Sequence, residues 1–348
     1  MPKRILVTGS AGFIGFHLTK ALIIRGFQVV GVDNLNDYYD PELKKDRLNV
    51  LERLVVEHDC IDSYRFVVLD ISDTAAMEKL FHESSFDIVI NLAAQAGVRY
   101  SLENPKAYID SNVTGFANIL ECCRHQNIEH LLFASSSSVY GLNKKKPFAV
   151  TDNTDYPISL YAATKKSNEL LAHSYSHLFD IPCTGLRFFT VYGPFGRPDM
   201  AYYGFTESIL NGIPIKVFNN GNQERDFTYI DDIITGILGL LNLPPMPRVS
   251  SITGSRAPFD IFNIGNNDPI SLRRFIQAIE SAVGKKAVEV MLPAQPGDVT
   301  STYADIDPLI KKCGFKPTTE IEEGIKFFVD WYVDSKSSSG ATKVLLTK

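Results

Sequence analysis

Tyr161 and Lys165 stand four residues apart in the string YAATK, a spacing that puts both side chains on one face of a predicted helix. A free tyrosine has a pKa of about 10, roughly three units too high for a general base at neutral pH. A nearby ammonium group favours the phenolate, so Lys165 is expected to make Tyr161 a usable base. Ser136 lies twenty-five residues earlier, where a strand is predicted to end and its hydroxyl would point into a cleft. Tyr161, Lys165 and Ser136 are therefore the candidate catalytic residues.

A glycine-rich turn precedes the first predicted helix. Gly9, Gly12 and Gly15 recur at three-residue spacing in TGSAGFIG. Glycine lets the chain turn sharply, lets a pyrophosphate approach bare backbone, and aims a helix N-terminus at the negative charge. We therefore predict a bound dinucleotide, with Phe13 and Ile14 in the first turn of the helix among its contacts.

Two predicted strands end in an acidic residue. Asp33 follows the third glycine by eighteen residues, close to the spacing of an acid that binds a ribose diol. A carboxylate there repels a 2′-phosphate, and neither Asn34 nor Leu35 supplies a compensating arginine, so NAD is favoured over NADP. Asp70 could contact the adenine or could equally cap the helix before Thr74. The remaining predicted NAD contacts, together with Asn34, are Ile71, Ala93, Tyr161 and Lys165.

The elements that must position these residues follow an alternating pattern. Apolar strands are predicted from Arg4, Gln28, Tyr64, Phe86, His130 and Cys183, with helices between them, among them those starting at Phe13, after Pro105 and at Tyr161. Near-continuous apolar strands alternating with helices indicate an α/β fold with a doubly wound parallel sheet covered on both faces.

Beyond Tyr192 the chain becomes richer in glycine and proline, where we expect a smaller α/β substrate-binding domain. We assign residues 1–189 and 229–264 to the NAD-binding domain and residues 190–228 and 265–334 to the smaller one. Residues 335–348, rich in serine, are expected to form a flexible tail.

Composition excludes several classes of protein. The chain has 348 residues, 45% hydrophobic and 22% charged, and a net charge of −5, which argues against broad nucleic-acid binding. Five cysteines without a C-x-x-C pair disfavour a disulfide scaffold or structural zinc and favour a reducing cytoplasm. His173 and His177 lack the glutamate of a zincin motif, so no metal is expected. No apolar run approaches the ~20 residues of a membrane span, and no signal peptide is recognisable.

The glycine turn, the strand-end serine and the Y-x-x-x-K string, in this order, resemble the extended short-chain dehydrogenase/reductase family, over the chain to about Tyr332. The resemblance implies a Rossmann domain and a hydride moved between a sugar carbon and NAD, with Ser136 bonding the sugar oxygen and Tyr161 exchanging its proton. Dehydratases and decarboxylases of the family usually carry an acid where this chain has Ser137 and Ser138. Epimerisation, which oxidises a carbon and then reduces its other face, is therefore the expected reaction.

Five further strings resemble UDP-glucuronate 4-epimerases: DNLNDYYD, LAAQAGVRYSLENP, RFFTVYGPFGRPDMA, RDFTYIDDI and PGDVTSTYAD. Arg225 is a candidate for bidentate binding of a UDP diphosphate. The resemblance implies that Asp298 accepts a hydrogen bond from the uridine ribose. Arg99 is a further candidate, although its loop could equally be a solvated lid. The residues that the resemblance places near the sugar carboxylate are Thr190, Arg197, Ser136, Ser137 and Ser138.

The expected activity is the C4 epimerisation of UDP-glucuronate to UDP-galacturonate through a 4-keto intermediate. An epimerase of UDP-galactose or of a UDP-N-acetylhexosamine is the alternative within enzymes. A non-catalytic NAD-binding regulator is the alternative of another class, and the intact set of Tyr161, Lys165 and Ser136 argues against it. Relatives often dimerise through the helices that follow Pro105 and Tyr161, so a cytoplasmic homodimer is expected.

Overall fold

The structure is a computed structural model that describes residues 2–249, 254–293 and 301–337. The predicted strands from Gln28 and His130 are confirmed at both of their ends. Within the described ranges the strands are β1 (Arg4–Thr8), β2 (Gln28–Asp33), β3 (Tyr64–Val68), β4 (Ile88–Asn91), β5 (His130–Ser136), β6 (Cys183–Phe188), β7 (Thr190–Tyr192), β8 (Ile215–Phe218), β9 (Glu224–Tyr229), β10 (Phe259–Ile264), β11 (Pro269–Ser271) and β12 (Glu289–Leu292).

The helices agree with the sequence pattern, and the predicted helix from Tyr161 begins one residue earlier. In the same ranges they are α1 (Phe13–Ile24), α2 (Pro41–Glu57), α3 (Thr74–Glu83), α4 (Tyr100–Glu103), α5 (Pro105–Tyr108), α6 (Gly115–His125), α7 (Leu160–Phe179), α8 (Ala201–Leu210), α9 (Ile230–Leu240), α10 (Leu272–Val283), α11 (Asp307–Cys313) and α12 (Ile321–Ser337). A π-helical segment, Ile109–Thr114, joins α5 to α6, and a 3₁₀ turn, Ser137–Tyr140, follows β5.

Seven parallel strands form the main sheet in the order β10-β6-β5-β4-β1-β2-β3. From β1 the chain moves outward through β2 to β3 and then returns to the other side of β1 as β4. This reversal leaves a crevice at the carboxyl ends of β1 and β4, where open parallel sheets bind ligands. The predicted doubly wound Rossmann-type α/β fold is confirmed.

The two faces of this sheet are covered by separate apolar layers. Along β1, Ile5 and Val7 pack into the layer that includes α1 and α2. Leu6, between them, packs into the layer formed with α3, α6 and α7. Successive side chains of a strand point to opposite faces, which explains why β1 is apolar at every one of these positions.

A smaller group of strands lies beyond the main sheet. β9 pairs with β7 in parallel and with β11 in antiparallel orientation, and β8 pairs with β12. The rings of Phe227 and Phe275 stack with centroids 4.4 Å apart, which packs β9 against α10. The predicted domain boundaries stay predictions. The last helix continues to Ser337, three residues into the predicted tail, and the rest of that tail lies outside the described residues.

The described ranges contain neither a membrane-spanning helix nor a cluster of side chains that could bind a metal ion. No helix in them is long and apolar enough to cross a membrane. Nor do these residues place three or more His, Cys, Asp or Glu side chains where they could hold a metal ion. The rings of His173 and His177 stack on each other with centroids 6.4 Å apart.

His130, the first residue of β5, is fully buried beneath the sheet edge. Its Nε2 lies 2.8 Å from Thr184 Oγ1, and its Nδ1 lies 3.3 Å from the carbonyl oxygen of Leu241. Burial lowers the pKa of His130 from 6.5 to about 4. Below pH 6.5 this histidine therefore binds a proton in the unfolded chain, whereas in the folded chain it stays unprotonated down to about pH 4. The free energy of unfolding consequently falls as the pH drops from 6.5 through 4.

Between pH 7 and pH 5 we expect this histidine to account for about 2 kcal/mol of lost unfolding free energy. Urea unfolding of the wild type and of His130→Asn at both pH values measures it, since the variant should lose less stability on acidification. The matched control is His58→Asn, at an exposed position, which should keep the wild-type pH dependence. An unaltered pH dependence in His130→Asn would contradict the assignment.

Candidate active site

One cavity lies at the carboxyl ends of the strands around the switch point between β1 and β4. It brings the candidate catalytic residues Ser136, Tyr161 and Lys165 together with Arg197. All of the other residues predicted to bind the dinucleotide line the same cavity: Gly9, Gly12, Phe13, Ile14, Gly15, Asp33, Asn34, Asp70, Ile71 and Ala93.

The glycine turn fits a dinucleotide pyrophosphate for reasons of space and of free donors. Gly9 has a φ of +70°, and a Cβ on it would lie 2.8 Å from the backbone nitrogen of Ala93. A Cβ on Gly15 would lie 2.0 Å from the carbonyl oxygen of Gly9. Gly12, the residue before α1, has no side chain to cap the first-turn N–H groups, which stay available to an anion.

Gly15→Ala is expected to reduce the NAD content of the purified protein at least about tenfold, because the new methyl group forces the turn away from α1. Release of the cofactor by denaturation and its quantification by absorbance measures this content. Gly204→Ala is the matched control, since a Cβ on this α8 glycine meets nothing within 4 Å. The control should retain full NAD content and gain up to about 1 kcal/mol of stability. Full NAD content in Gly15→Ala would contradict the prediction.

Lys44 is a cavity residue that the sequence pattern does not single out. Its Nζ lies 3.3 Å from Asp33 Oδ1 and 3.1 Å from Asn36 Oδ1. The Lys44 and Asp33 side chains are only 6% and 7% exposed, so the two charges form a buried ion pair. Lys44 lies on α2, eleven residues after Asp33 in the sequence. Asp33, the predicted ribose ligand, therefore has a cation beside it.

Asp70 belongs to the cavity and not to a helix cap. Its carboxylate accepts hydrogen bonds from Asn34 Nδ2 at 2.8 Å and from Ser72 Oγ at 2.7 Å. Burial tends to raise the pKa of Asp70, but these hydrogen bonds bring it below its ordinary value. The N-cap of α3 is Asp73, which accepts from the backbone nitrogen of Ala76.

Tyr161 and Ser136 line the same cavity. Burial raises the pKa of Tyr161, while the Ser136 side chain and the charge of Arg197 act in the opposite direction and lower it. Ser136 is the last residue of β5, and its Oγ accepts from the backbone nitrogen of Ser138 at 3.2 Å. The base candidate and the strand-end serine therefore line one cavity, as their spacing predicts.

Lys165 makes a different contact from the expected one. Its Nζ donates to the carbonyl oxygen of Ala134 at 3.0 Å, and burial lowers the pKa of Lys165 to about 8. The sequence assigns to Lys165 the charge that favours the Tyr161 phenolate. In the structure the charge of Arg197 lowers the pKa of Tyr161, and the role of Lys165 stays a prediction.

A buried ion pair supports the end of β5 from below. Glu169, one helical turn after Lys165 on α7, accepts from Arg187 Nε and Nη2 at 2.8 Å each. The same carboxylate accepts from Ser135 Oγ at 2.6 Å. Arg187 Nη1 donates to Tyr140 Oη at 2.9 Å, which ties in the 3₁₀ turn after β5. This network fixes the backbone that carries Ser136.

The π-helical segment before α6 lines the cavity with Ser111 and is held in place by its buried Asn112. The Asn112 side chain accepts from the backbone nitrogen of Gln95 at 2.7 Å and donates to Thr164 Oγ1 at 3.0 Å. Asn168 Nδ2 donates to the Asn112 carbonyl oxygen at 2.5 Å. The wider turn thus joins the loop after β4 to the helix that carries Tyr161 and Lys165.

The candidates for substrate binding are less tightly grouped. Ser137 and Ser138 begin the 3₁₀ turn after β5, next to the cavity. Thr190 opens β7, beside the β9 strand that carries Arg225, whose Nη1 donates to the Glu224 carbonyl oxygen at 2.9 Å. Exposed Arg99 places its guanidinium carbon 5.8 Å from the centroid of the Phe218 ring, and Asp298 lies outside the described residues.

A protein-family model described as the NAD dependent epimerase/dehydratase family matches residues 5–264. The chain belongs to this family. It is similar to Protein CapI of Staphylococcus aureus, with 52% identity over 95% of this chain and 98% of the relative. A probable UDP-glucuronate 4-epimerase of Rhizobium meliloti is 48% identical, over 94% of this chain and 96% of the relative.

Solved structures of epimerases share the fold of this family member. The UDP-glucuronic acid 4-epimerase of Bacillus cereus, in complex with UDP-glucuronic acid and NAD, superposes with a TM-score of 0.82 at 33% identity, covering 94% of this chain and 98% of that one. The UDP-glucose 4-epimerase of Thermotoga maritima, with UDP-glucose, also has a TM-score of 0.82, at 28% identity, over 96% of this chain and 99% of that one.

Proposed function

We propose that this protein catalyses the NAD-dependent C4 epimerisation of a UDP-hexuronate, converting UDP-glucuronate to UDP-galacturonate through a 4-keto intermediate. The observation that carries the proposal is the single cavity that brings Tyr161, Ser136 and Lys165 together with the glycine turn. Relatives and solved structures named as UDP-glucuronate 4-epimerases support the choice of sugar.

Each residue of the trio has a distinct role in this proposal. Tyr161 removes the proton of the C4 hydroxyl and later returns a proton to the ketone oxygen. Ser136 donates a hydrogen bond to the C4 oxygen and keeps it beside the phenol. Bound NAD would supply a reversible acceptor for the C4 hydride, held by the residues that line the cavity together with Tyr161. Lys165 binds the nicotinamide ribose, and Asp33 with Lys44 binds the adenosine ribose.

Returning the hydride to the other face requires the sugar to turn while its nucleotide stays anchored. Arg225 is the proposed ligand of the diphosphate, and Asp298 that of the uridine ribose. The hexuronate carboxylate needs donors, because burying it without partners is costly. The proposed donors around it are Thr190, Arg197, Arg99, Ser136, Ser137 and Ser138.

Incubation of the purified NAD-loaded protein with UDP-glucuronate in D₂O, followed by proton NMR, tests this function. We expect UDP-galacturonate without deuterium at C4, because the hydride stays inside the protein. Deuterium at C4 would contradict internal return of the hydride, and release of CO₂ would indicate a decarboxylase. Turnover of UDP-glucose or a UDP-N-acetylhexosamine with none of UDP-glucuronate would overturn the assignment of the sugar.

We also infer a cytoplasmic homodimer. Leu170 and Leu178 on α7 are 59% and 63% exposed, and Ile109 beside α5 is 43% exposed, which leaves apolar surface for a second copy. All five cysteines are free thiols, which supports a reducing compartment. Light scattering of the purified protein should give the mass of two chains, and a monomer at micromolar concentration would contradict the dimer.

A further inference from the structure

Arg197 lines the cavity from the segment between β7 and α8, and its guanidinium is already paired with Asp199. Arg197 Nε donates to Asp199 Oδ1 at 2.9 Å, and Nη2 donates to Oδ2 at 2.6 Å. These two bonds use one edge of the planar guanidinium. The second edge, made of Nη1 and the outer hydrogen of Nη2, can bind another carboxylate in the same bidentate way.

Asp199 is itself held by a tyrosine from a different loop. Tyr38, between β2 and α2, donates from its Oη to Asp199 Oδ2 at 3.2 Å. Burial, followed by the charge of Asp199, raises the pKa of Tyr38 to about 12, so this donor keeps its proton at physiological pH. A Cβ on Gly97 would lie 2.4 Å from the Tyr38 hydroxyl, which shows how closely the loop after β4 approaches. Tyr38 therefore links the loop after β4 to the loop that carries Asp199.

The pair also acts on the phenol that performs the chemistry. The charge of Arg197 lowers the pKa of Tyr161, and the charge of Asp199 raises it. Both charged groups are therefore close enough to Tyr161 to influence it. Arg197 and Tyr161 line the same cavity, so a guanidinium anchored there would hold a sugar carboxylate next to the carbon that Tyr161 acts on.

We infer that Asp199 is a positioning residue that sets the preference for an acidic sugar: it fixes Arg197 so that the free guanidinium edge meets the hexuronate carboxylate, with Tyr38 fixing Asp199 in turn. The inference rests on the proposed function, because it needs the carboxylate near Arg197. A neutral UDP-hexose has no group for that edge, so its binding gains nothing from Asp199.

Isothermal titration with UDP-glucuronate and with UDP-glucose tests the inference. Every protein carries Tyr161→Phe, which stops turnover during the titration, and is loaded with NAD. We expect Asp199→Ala to weaken UDP-glucuronate binding about ten- to thirtyfold and UDP-glucose binding by less than about twofold. The matched control is Glu322→Ala, which removes the same bidentate geometry from Arg274 on the surface and should change neither affinity.

A double-mutant cycle separates positioning from a general structural effect. In an Arg197→Ala background, Asp199→Ala should weaken UDP-glucuronate binding by less than about twofold further, because Asp199 acts through Arg197. Tyr38→Phe, a smaller change, should weaken it about threefold with Arg197 present. An equal loss for both ligands, or the same loss with and without Arg197, would overturn the inference.

Asp199→Asn, in the enzyme with Tyr161 intact, tests the charge of Asp199 through the pH profile of the reaction. A purely structural role of Asp199 would leave that profile unchanged. The amide keeps an acceptor oxygen but removes the negative charge, so the pKa of Tyr161 should fall. The acidic limb of the kcat/KM profile for UDP-glucuronate should then shift to lower pH, and an unmoved limb would count against the inference. If Asp199→Ala melts before the titration temperature, Asp199→Asn and Tyr38→Phe still decide the question.

Failure of this inference and failure of the proposed function give different results. If the wild-type protein does not epimerise UDP-glucuronate, the proposed function is wrong. If the wild-type protein epimerises UDP-glucuronate and Asp199→Ala keeps the same preference for UDP-glucuronate over UDP-glucose, only the role of Asp199 is wrong.

Discussion

Tyr161→Phe should lower turnover of UDP-glucuronate by about 10²–10⁴-fold, because the phenyl ring has no oxygen to take the C4 proton. The ring itself is retained, and its packing near Tyr108, with centroids 6.1 Å apart, should keep the cavity intact. Affinity for UDP-glucuronate should therefore change by less than about tenfold, since only one hydrogen bond is lost. Initial rates and equilibrium titrations with the NAD-loaded protein measure the two quantities.

The control for this variant is Tyr156→Phe, which makes the same chemical change at a position that is 80% exposed. It should leave turnover within about twofold of the wild type, because surface substitutions away from special features have small effects. Turnover in Tyr161→Phe equal to that of the control would remove Tyr161 from the mechanism.

Glu169→Ala should cost about 3–5 kcal/mol of unfolding free energy, because it leaves the Arg187 guanidinium buried without its counter-charge. Both side chains are no more than 3% exposed, so water cannot replace the lost carboxylate. Ser135 loses its acceptor as well, and the backbone before Ser136 should loosen. Urea unfolding followed by circular dichroism measures the loss.

The matched control is Glu322→Ala, which breaks a bidentate arginine–glutamate pair in which both side chains are more than 40% exposed. It should cost no more than about 1 kcal/mol, because solvent screens exposed charges. The comparison separates burial from the ion pair as such. A loss in Glu169→Ala as small as in the control would mean that Arg187 finds other partners.

Several features of the fold could be predicted because they depend on neighbours in the sequence. The strand of β5 and the glycine turn before α1 are local patterns of apolar periodicity and backbone freedom. The spacing of Tyr161 and Lys165 follows from the period of a helix in the same way. Even the meeting of Ser136 with Tyr161 follows from a general rule, since parallel strands present their carboxyl ends at one edge of the sheet.

Other contacts join residues that no local pattern relates. Lys44 reaches Asp33 only because α2 packs back on the end of β2, so the residues next to Asp33 in the sequence do not reveal this cation. Arg197, from the segment between β7 and α8, lines the same cavity as Tyr161 and lowers its pKa, while the Lys165 ammonium group donates to the Ala134 carbonyl. The folding of loops brings these charged side chains to their partners, and the periodicity of the sequence does not describe how loops fold.

The amino-acid sequence alone therefore determined the parallel α/β fold, the glycine turn and the candidate for the base, since each follows from short-range spacing and the periods of strand and helix. Only the tertiary structure decided which charges surround those groups: Lys44 at Asp33, Arg187 at Glu169 and Asp199 at Arg197. The physical reason is that a Coulomb interaction depends on distance and burial in space. Loops and packed helices set both of these, and a linear pattern contains neither.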